Sequence, residues 1–464
     1  MGNVKKFTIR TFGCQMNEHD SEKLAGILVD DGLVQTAEVE DADVVILNTC
    51  CIRENADNKL YGHLGHLKSL QDKRPGLQIA VCGCLAQRDR EKLLEKAGHV
   101  NVVFGTQNLK SAPRLLRRAD KEGSVVEVVD QRDPGMDLGD LPESLSAVRE
   151  HAHAAWVTIQ EGCNNSCAFC IVPTVRGREV SRPMAEIVSE VEHLVGNGVV
   201  EVTLLGQNVN SYGRDITGRR PLFSELLKEV GSVPGLERVR FTSPHPKDLR
   251  PETIEAMATT NAVCEHLHLP LQSGSDRVLS LMRRGYSAER YLDKLATARA
   301  SIGDLAVTTD IIVGFPGETE DDFERTLEVA AEAAYDSAYT FIFSARAGTR
   351  AAAMEDVFVP DDVIADRFER LRSVVERSAL LRHESRIGVT ENVLVEGVSK
   401  RDRSRMSGRT RQGKLVHFSS AGPIPAGTFA DVLVESAAPH HLSGVLQRVT
   451  AAPVTRTRIK VVAG

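Results

Sequence analysis

EGCNNSCAFC, residues 161–170, carries three cysteines, Cys163, Cys167 and Cys170, at steps of four and then three. Four thiolates would close a tetrahedral zinc site or occupy every corner of a cubane iron–sulfur cluster. A closed zinc site needs a fourth ligand close by, and this run offers none. Three thiolates instead leave one iron of a [4Fe–4S] cube open to another ligand. The run directly follows a strand-like stretch, AWVTI (155–159), so the flanking sequence indicates where that open corner faces.

Working outward, strand runs recur at EVTLLGQN (201–208), RVRFTS (238–243), HLHLPLQS (266–273), LAVTTDIIVGF (305–315) and AYTFIFS (338–344). Helical periods lie between them, including PMAEIVSEVEHLVGNG, SAERYLDKLATARA and EDDFERTLEVAAEAA. Residues 151–385 therefore read as six βα units, and the expected form is a partial (β/α)6 barrel with its working loops after the strands. Loop 161–170 is the first of these. Later strand ends carry Gln207 and Asn208, Ser243 and His245, Gln272 and Ser273, and Glu318. Each alone reads as a cap or turn residue; together on one rim they favour a binding site.

The preceding segment, residues 4–120, alternates strand and helix signals as well. KFTIRTFG, ADVVILNT and LQIAVCG are β runs, each followed by a helical pattern, which predicts a parallel α/β sheet. Cys14, Cys50 and Cys84 each fall just past the carboxyl end of one of these strands. Ligands bind at that edge of an open α/β sheet, so three residues far apart in sequence should converge there. Cys82 lies within the strand run and reads as buried; Cys51 is a spare thiol beside the site. Residues 121–150, with the run DQRDPGMDLGDLPESLS, read as a linker rich in Pro, Gly and acids.

The third segment, residues 386–450 with a tail at 451–464, shows short strand runs separated by Gly/Pro turns. A small all-β barrel of an oligonucleotide-binding kind is expected. Residues 391–464 hold eleven Lys/Arg against five Asp/Glu, a net of +6, which leaves −13 for the rest of a chain whose formal charge is −7. A basic module on an acidic body suits an enzyme with a nucleic-acid handle. Arg401, Arg403, Arg405, Arg409 and Arg411 crowd one stretch and are candidates for RNA phosphate contacts. Nine cysteines in 464 residues, with 42% apolar content and no run of eighteen apolar residues, suggest a multidomain cytoplasmic protein that ligates metal and does not cross a membrane.

CxxxCxxC at the first strand end of a six-unit α/β segment resembles the radical S-adenosylmethionine (SAM) enzymes, with Phe169 in the apolar slot before the last cysteine. That resemblance implies that the open iron chelates SAM, whose cleavage yields a 5′-deoxyadenosyl radical. GCQMNEHDSEKL, NTCCIRE and CGC, then GCNNSCAFCIVPTVRGREVSRP, then a basic β module, is similar to the methylthiotransferase branch over nearly the whole chain. The resemblance implies a second [4Fe–4S] cluster on Cys14, Cys50 and Cys84, and a TRAM domain at the carboxyl end. It further implies two SAM molecules per turnover, one giving a methyl group to sulfur and one giving the radical. A reducing electron donor protein and a sulfur source would be partners. Cys51 and Cys82 depart from the commoner Ser and Gly of that branch. Within the branch, GCQMNEHDS resembles the enzymes that methylthiolate carbon 2 of N6-isopentenyladenosine at position 37 of tRNAs. The alternatives are threonylcarbamoyladenosine in tRNA or an aspartate of a ribosomal protein. Gln207, Asn208 and Ser273, with Phe169, are the candidate cofactor contacts, and Arg176, Arg178 and Arg182 are candidates for RNA or SAM carboxylate.

Overall fold

The computed structural model describes residues 4–51, 54–129, 148–149 and 151–453. The N-terminal unit runs β1 (Lys6–Phe12), α1 (Gln15–Asp30), β2 (Val34–Gln35), β3 (Val44–Thr49), α2 (Glu54–Lys73), β4 (Gln78–Gly83), α3 (Cys84–Asp89), α4 (Glu91–Lys96), β5 (Val102–Phe104), α5 (Ala112–Glu122) and β6 (Val125–Glu127). Its six strands form one parallel sheet in the order β2-β1-β3-β4-β5-β6. β3 and β4 are buried along their whole length, as central strands covered on both faces must be. The chain steps to opposite sides of β1 for β2 and β3, so a topological switch point opens at the carboxyl ends of β1 and β3, where Cys14 and Cys50 emerge.

The expected domain end at residue 120 needs correcting. α5 continues to Glu122, and Val125 and Val126 pair with Val102 and Val103 as the edge of the sheet. A three-residue edge strand beside the acidic run gives too short an alternation to be recognised. The remainder of the expected linker, residues 130–147 and 150, lies outside the described residues.

The central unit runs β7 (Ala154–Thr158), β8 (Gln160–Glu161), α6 (Val172–Arg176), β9 (Val180–Ser181), α7 (Met184–Gly196), β10 (Glu201–Leu205), α8 (Arg214–Thr217), α9 (Phe223–Gly231), β11 (Arg238–Phe241), α10 (Pro251–Thr259), β12 (His266–His268), α11 (Asp276–Leu281), α12 (Ala288–Ser301), β13 (Ala306–Val313), α13 (Glu320–Ala333), β14 (Ser337–Ile342) and α14 (Asp361–Glu384). β7-β10-β11 and β12-β13-β14 are each parallel and in chain order, and a parallel bridge from Val239 to Val263 joins the two halves. Six parallel strands in sequential order make the open, barrel-like arc that the βα periodicity predicts. Along β13, Val307, Thr309, Ile311 and Val313 are buried, while Thr308, Asp310 and Ile312 alternate with them on the less buried inner face.

The C-terminal unit is a closed barrel of β15 (Thr390–Val398), β16 (Met406–Arg409), β17 (Leu415–Ser419), β18 (Phe429–Ala438) and β19 (His441–Ala451), ordered β15-β16-β17-β19-β18. Val393, Val395, Val416, Phe418, Val432 and Val434 fill it. Its β16–β17 turn enters the base of the central arc. Arg240 of β11 donates to the carbonyls of Thr410 and Arg411 at 2.8 Å, and Arg238 donates to those of Arg409 and Asn392 at 2.9 Å. Lys414 Nζ meets Asp336 Oδ1 at 2.5 Å in a buried pair. Among the described residues no helix is long and apolar enough to cross a membrane.

Two candidate cluster sites and their surroundings

None of the nine cysteines forms a disulfide. Cys14 caps α1, Cys50 follows β3 and Cys84 opens α3, so the three dispersed cysteines share one sheet edge. Gly83 has φ +93°, and a Cβ there would stand 2.3 Å from Asn48 Oδ1 and 2.5 Å from the Thr49 carbonyl. Only glycine lets β4 turn Cys84 into the crevice. Beneath the thiols, Asn17 Nδ2 donates to Asn48 Oδ1 at 3.2 Å, and Asn48 Nδ2 donates to Asn17 O and Ser21 Oγ at 2.8 and 2.9 Å. These amides hold the amino end of α1 against β3.

The thiols perturb one another. A hydrogen bond from Cys50, helped by the Arg176 charge, draws the Cys14 thiol down to about 6 against the cost of burial. A hydrogen bond from Cys51, again with Arg176, draws Cys84 down to about 7. Cys51 is buried in the same apolar cluster as Cys84. Cys82 stays inside β4 with its thiol pushed up by burial, the core role its strand position implied.

Loop 161–170 is held open by the chain around it. Gly162 has φ +78° and packs so that a Cβ would fall 2.0 Å from the Arg178 carbonyl. Cys163 N donates to Gly177 O at 3.2 Å and Cys170 N to Cys167 O at 3.1 Å, which fixes the turn. Cys163 Sγ accepts from Asn165 N at 3.4 Å. Burial pushes Cys163 up, and Cys170 up to about 12. Arg284 Nη1 donates to Cys167 Sγ at 3.3 Å and its Nε donates to Tyr286 Oη at 3.2 Å; Tyr286 is itself anchored on the Leu271 carbonyl at 2.8 Å. Sequence reading missed Arg284, which lies in a plain basic stretch with nothing in its spacing to single it out.

Both donor sets suit a cubane cluster with one open iron: three cysteines outside any disulfide in each, backed by a buried arginine. Among the described residues no three His, Cys, Asp or Glu side chains close on a single point as ligands of one ion would. Cubane ligands attach to separate irons and need not do so.

The rim residues divide. Phe169 packs with Phe315, Phe343 and Met354 beside Ala168, forming an apolar wall next to Cys167 and Cys170. Gln207 buries both amide atoms without a hydrogen-bond partner, so its side chain remains available to a ligand. Asn208 and Ser273 are partly engaged within the fold, while Asn208 Oδ1 is buried without a hydrogen-bond partner. Asn208 Nδ2 is bound to Asp248 at 2.9 Å, and Ser273 Oγ pairs with Thr326 at 3.2 Å and accepts from Ser275 N. These contacts brace strand ends. His245 accepts from Lys247 N at 3.1 Å, and Glu318 is bound to Arg367 at 2.9 Å. On the inner face of the arc, His268 Nδ1 meets Thr308 Oγ1 at 3.0 Å, its Nε2 lies 3.5 Å from Asp310, and its ring abuts exposed Tyr339. Alternation on the β12–β14 strands was the signal for these lumen residues.

Arg176 and Arg182 also need correcting as RNA or carboxylate contacts. Arg176 is buried against Asp20 at 2.7 Å, and Arg182 binds Glu190 at 2.6 Å and the Thr158 carbonyl at 2.8 Å. Arg178 is exposed.

Three family models match successive parts of the chain. Residues 6–105 match the Uncharacterized protein family UPF0004, residues 157–330 the Radical SAM superfamily and residues 384–446 the TRAM domain. A tRNA-2-methylthio-N(6)-dimethylallyladenosine synthase of Nocardia farcinica is 51% identical, over 95% of this chain and 89% of its own length. The chain belongs to the tRNA-2-methylthio-N(6)-dimethylallyladenosine synthase family. One of two such synthases of Mycobacterium marinum is 50% identical over 95% of this chain and 85% of its own. Among solved structures, the radical SAM methyltransferase TsrM of Kitasatospora setae shares the fold, with TM-score 0.54 at 15% identity over 75% of this chain and 77% of its own.

In this chain's TRAM domain the five arginines take different roles. Arg401 and Arg403 are exposed. Arg405 Nη1 donates to Ser443 at 3.3 Å, and Arg409 pairs with Glu396 at 2.9 Å while staying 48% exposed. Arg411 departs from the expectation. Its guanidinium forks onto Glu265, with both contacts at 2.8 Å, and donates to the carbonyls of Asn261 and Val263. It fastens the TRAM barrel to the base of the arc, since Glu265 precedes β12 and a cation there completes a charge pair at the domain seam.

Proposed function

We propose that this chain methylthiolates carbon 2 of N6-isopentenyladenosine in tRNA, giving 2-methylthio-N6-dimethylallyladenosine, and does so in the cytoplasm. The observation that carries this is the pairing of two three-cysteine sites, one on each strand-end rim, joined by α6, which leaves Cys170 and packs into the N-terminal core. Cys163, Cys167 and Cys170 would hold the [4Fe–4S] cluster that chelates SAM, and Cys14, Cys50 and Cys84 the auxiliary one. Bound there, the auxiliary cluster would hold the sulfur to be methylated, and the loop cluster, passing an electron to SAM, would supply the radical needed to remove hydrogen from an aromatic carbon with no acidic proton.

The chain's own residues do the positioning. Arg284 orients Cys167 and offsets its charge. Phe169, Phe315 and Phe343 keep water from the mouth of the loop, and Gln207 presents an unpaired amide to a polar ligand. His268, Asp310 and Tyr339 line the lumen where a base can enter. Exposed Arg401 and Arg403 on the TRAM barrel would meet tRNA phosphates. A reducing protein and a sulfur source complete the partners.

Mass spectrometry of tRNA nucleosides from cells lacking the gene tests the reading. Loss of the methylthio nucleoside with build-up of isopentenyladenosine is expected. Unchanged isopentenyl nucleosides with loss of methylthio-threonylcarbamoyladenosine, or of a ribosomal methylthio-aspartate, would contradict it.

A further inference from the structure

Arg176 ends α6, and its side chain is 4% exposed. Its Nη2 donates to Asp20 Oδ2 at 2.7 Å; Asp20, 6% exposed, stands on α1, the helix that Cys14 caps. On the same short helix, Val175, with neighbouring Ile171, enters the apolar cluster that contains Cys51, Cys84 and Leu85, and Thr106 Oγ1 donates to the Val175 carbonyl at 3.2 Å. The segment that follows the radical SAM loop is thereby pressed onto the N-terminal site with a buried cation at the contact. The charges that act on Arg176 are Asp20, Cys84, Glu161 and Cys14.

Burying an ion pair costs desolvation that packing alone does not require, and an apolar pair of the same volume would seal the interface as well. A three-thiolate iron–sulfur cube supplies a reason for the charge. Such an assembly is net negative, and each electron added makes it more so. A cation beside it favours the reduced form, and a carboxylate opposes reduction. We propose that Arg176 and Asp20 form a charge pair that sets the reduction potential of the cluster on Cys14, Cys50 and Cys84, the cation being contributed by the radical SAM domain. The inference rests on reading those three cysteines as cluster ligands. Arg176 and Asp20 are positioning residues here; neither touches the reacting atoms.

The pair makes opposite demands on the two members, which a structural ion pair does not. The test uses the full-length chain with Cys163→Ala, Cys167→Ala and Cys170→Ala, so that iron can remain only at the N-terminal site, reconstituted anaerobically and titrated redox-potentiometrically by electron paramagnetic resonance. Arg176→Gln should lower the midpoint potential, Asp20→Asn should raise it, and Arg176→Lys should stay near the parent. If Arg176→Gln fails to load iron, the rise in Asp20→Asn with an unmoved Arg176→Lys decides in favour. Shifts of the same sign, no shifts, or loss of the cluster in Arg176→Gln and Asp20→Asn alike would overturn the proposal and make the pair a structural fastener. A parent without iron overturns the ligand reading, and the inference with it. Iron present with unmoved potentials overturns the inference alone.

Discussion

The N-terminal site draws its thiols from three separate strand ends, whereas loop 161–170 brings its own along a single turn of chain. The two differ in how their thiols are supported. Cys14 and Cys84 are drawn down by thiol donors, Cys50 and Cys51, and by a guanidinium from another domain. Cys163 and Cys170 are pushed up by burial, and Arg284 reaches the sulfur of Cys167. A site built by the fold recruits stabilising partners from the elements that converge on it. A site built by a loop has close neighbours in sequence but depends on single residues sent from far away.

The largest effect expected is the separation of the two. Cys167→Ala should reduce SAM cleavage to background while the N-terminal iron, about four per chain, remains. Conversely, Cys14→Ala should lose that iron and methylthiolation while 5′-deoxyadenosine formation persists. Anaerobic reconstitution with iron analysis and chromatography of the nucleoside products would show either pattern; joint loss of both clusters in one variant would break the comparison.

Arg284→Met should come next. It removes the cation bonded to Cys167 Sγ, and an outer partner of a metal ligand is worth about 10–100-fold in affinity or activity. Cluster titration with parallel SAM-cleavage rates would measure it. An unchanged rate would reduce Arg284 to a packing residue of Tyr286.

A smaller effect divides the TRAM arginines. Arg411→Ala breaks a charged fork at a half-buried seam and should cost about 2 kcal/mol, read by urea denaturation, with the salt dependence of tRNA binding unmoved. Arg401→Ala with Arg403→Ala should leave stability alone and flatten the log–log salt slope by about one to two units. The reverse assignment would return Arg411 to RNA.

The smallest is at the spare thiols. Cys51→Ser keeps a donor for Cys84, and Cys82→Ser leaves the site untouched, so both should retain the auxiliary iron. Loss of it in Cys82→Ser but not in Cys84→Ser would reverse the ligand assignment.

What could be read from the sequence follows the same division. Cys163, Cys167 and Cys170 announce themselves because the ligand spacing is local. Cys14, Cys50 and Cys84 became visible only after three βα units had been laid side by side, since strand ends align what sequence separates. The six-strand arc and the closed β barrel were legible from their periods. β6 was not, being a three-residue edge strand. Nor were the long-range charge contacts: Arg284 and Cys167 are 117 positions apart, Arg411 and Glu265 146, and Arg176 and Asp20 156. An arginine in a basic run looks like every other until a distant carboxylate fixes its direction, which is why Arg411 was read as an RNA contact. The partners of Asn208 and Ser273 were hidden for the same reason: Asp248 and Thr326, which bond them, come from later elements.

Counting iron in three reconstituted full-length proteins tests the central claim most directly: the wild type, the Cys14→Ala, Cys50→Ala, Cys84→Ala triple variant, and the Cys163→Ala, Cys167→Ala, Cys170→Ala triple variant. Two independent three-thiolate sites predict about eight irons in the first and about four in each of the others. About four irons in the wild type, with none left in either triple variant, would mean one shared site and would contradict the account.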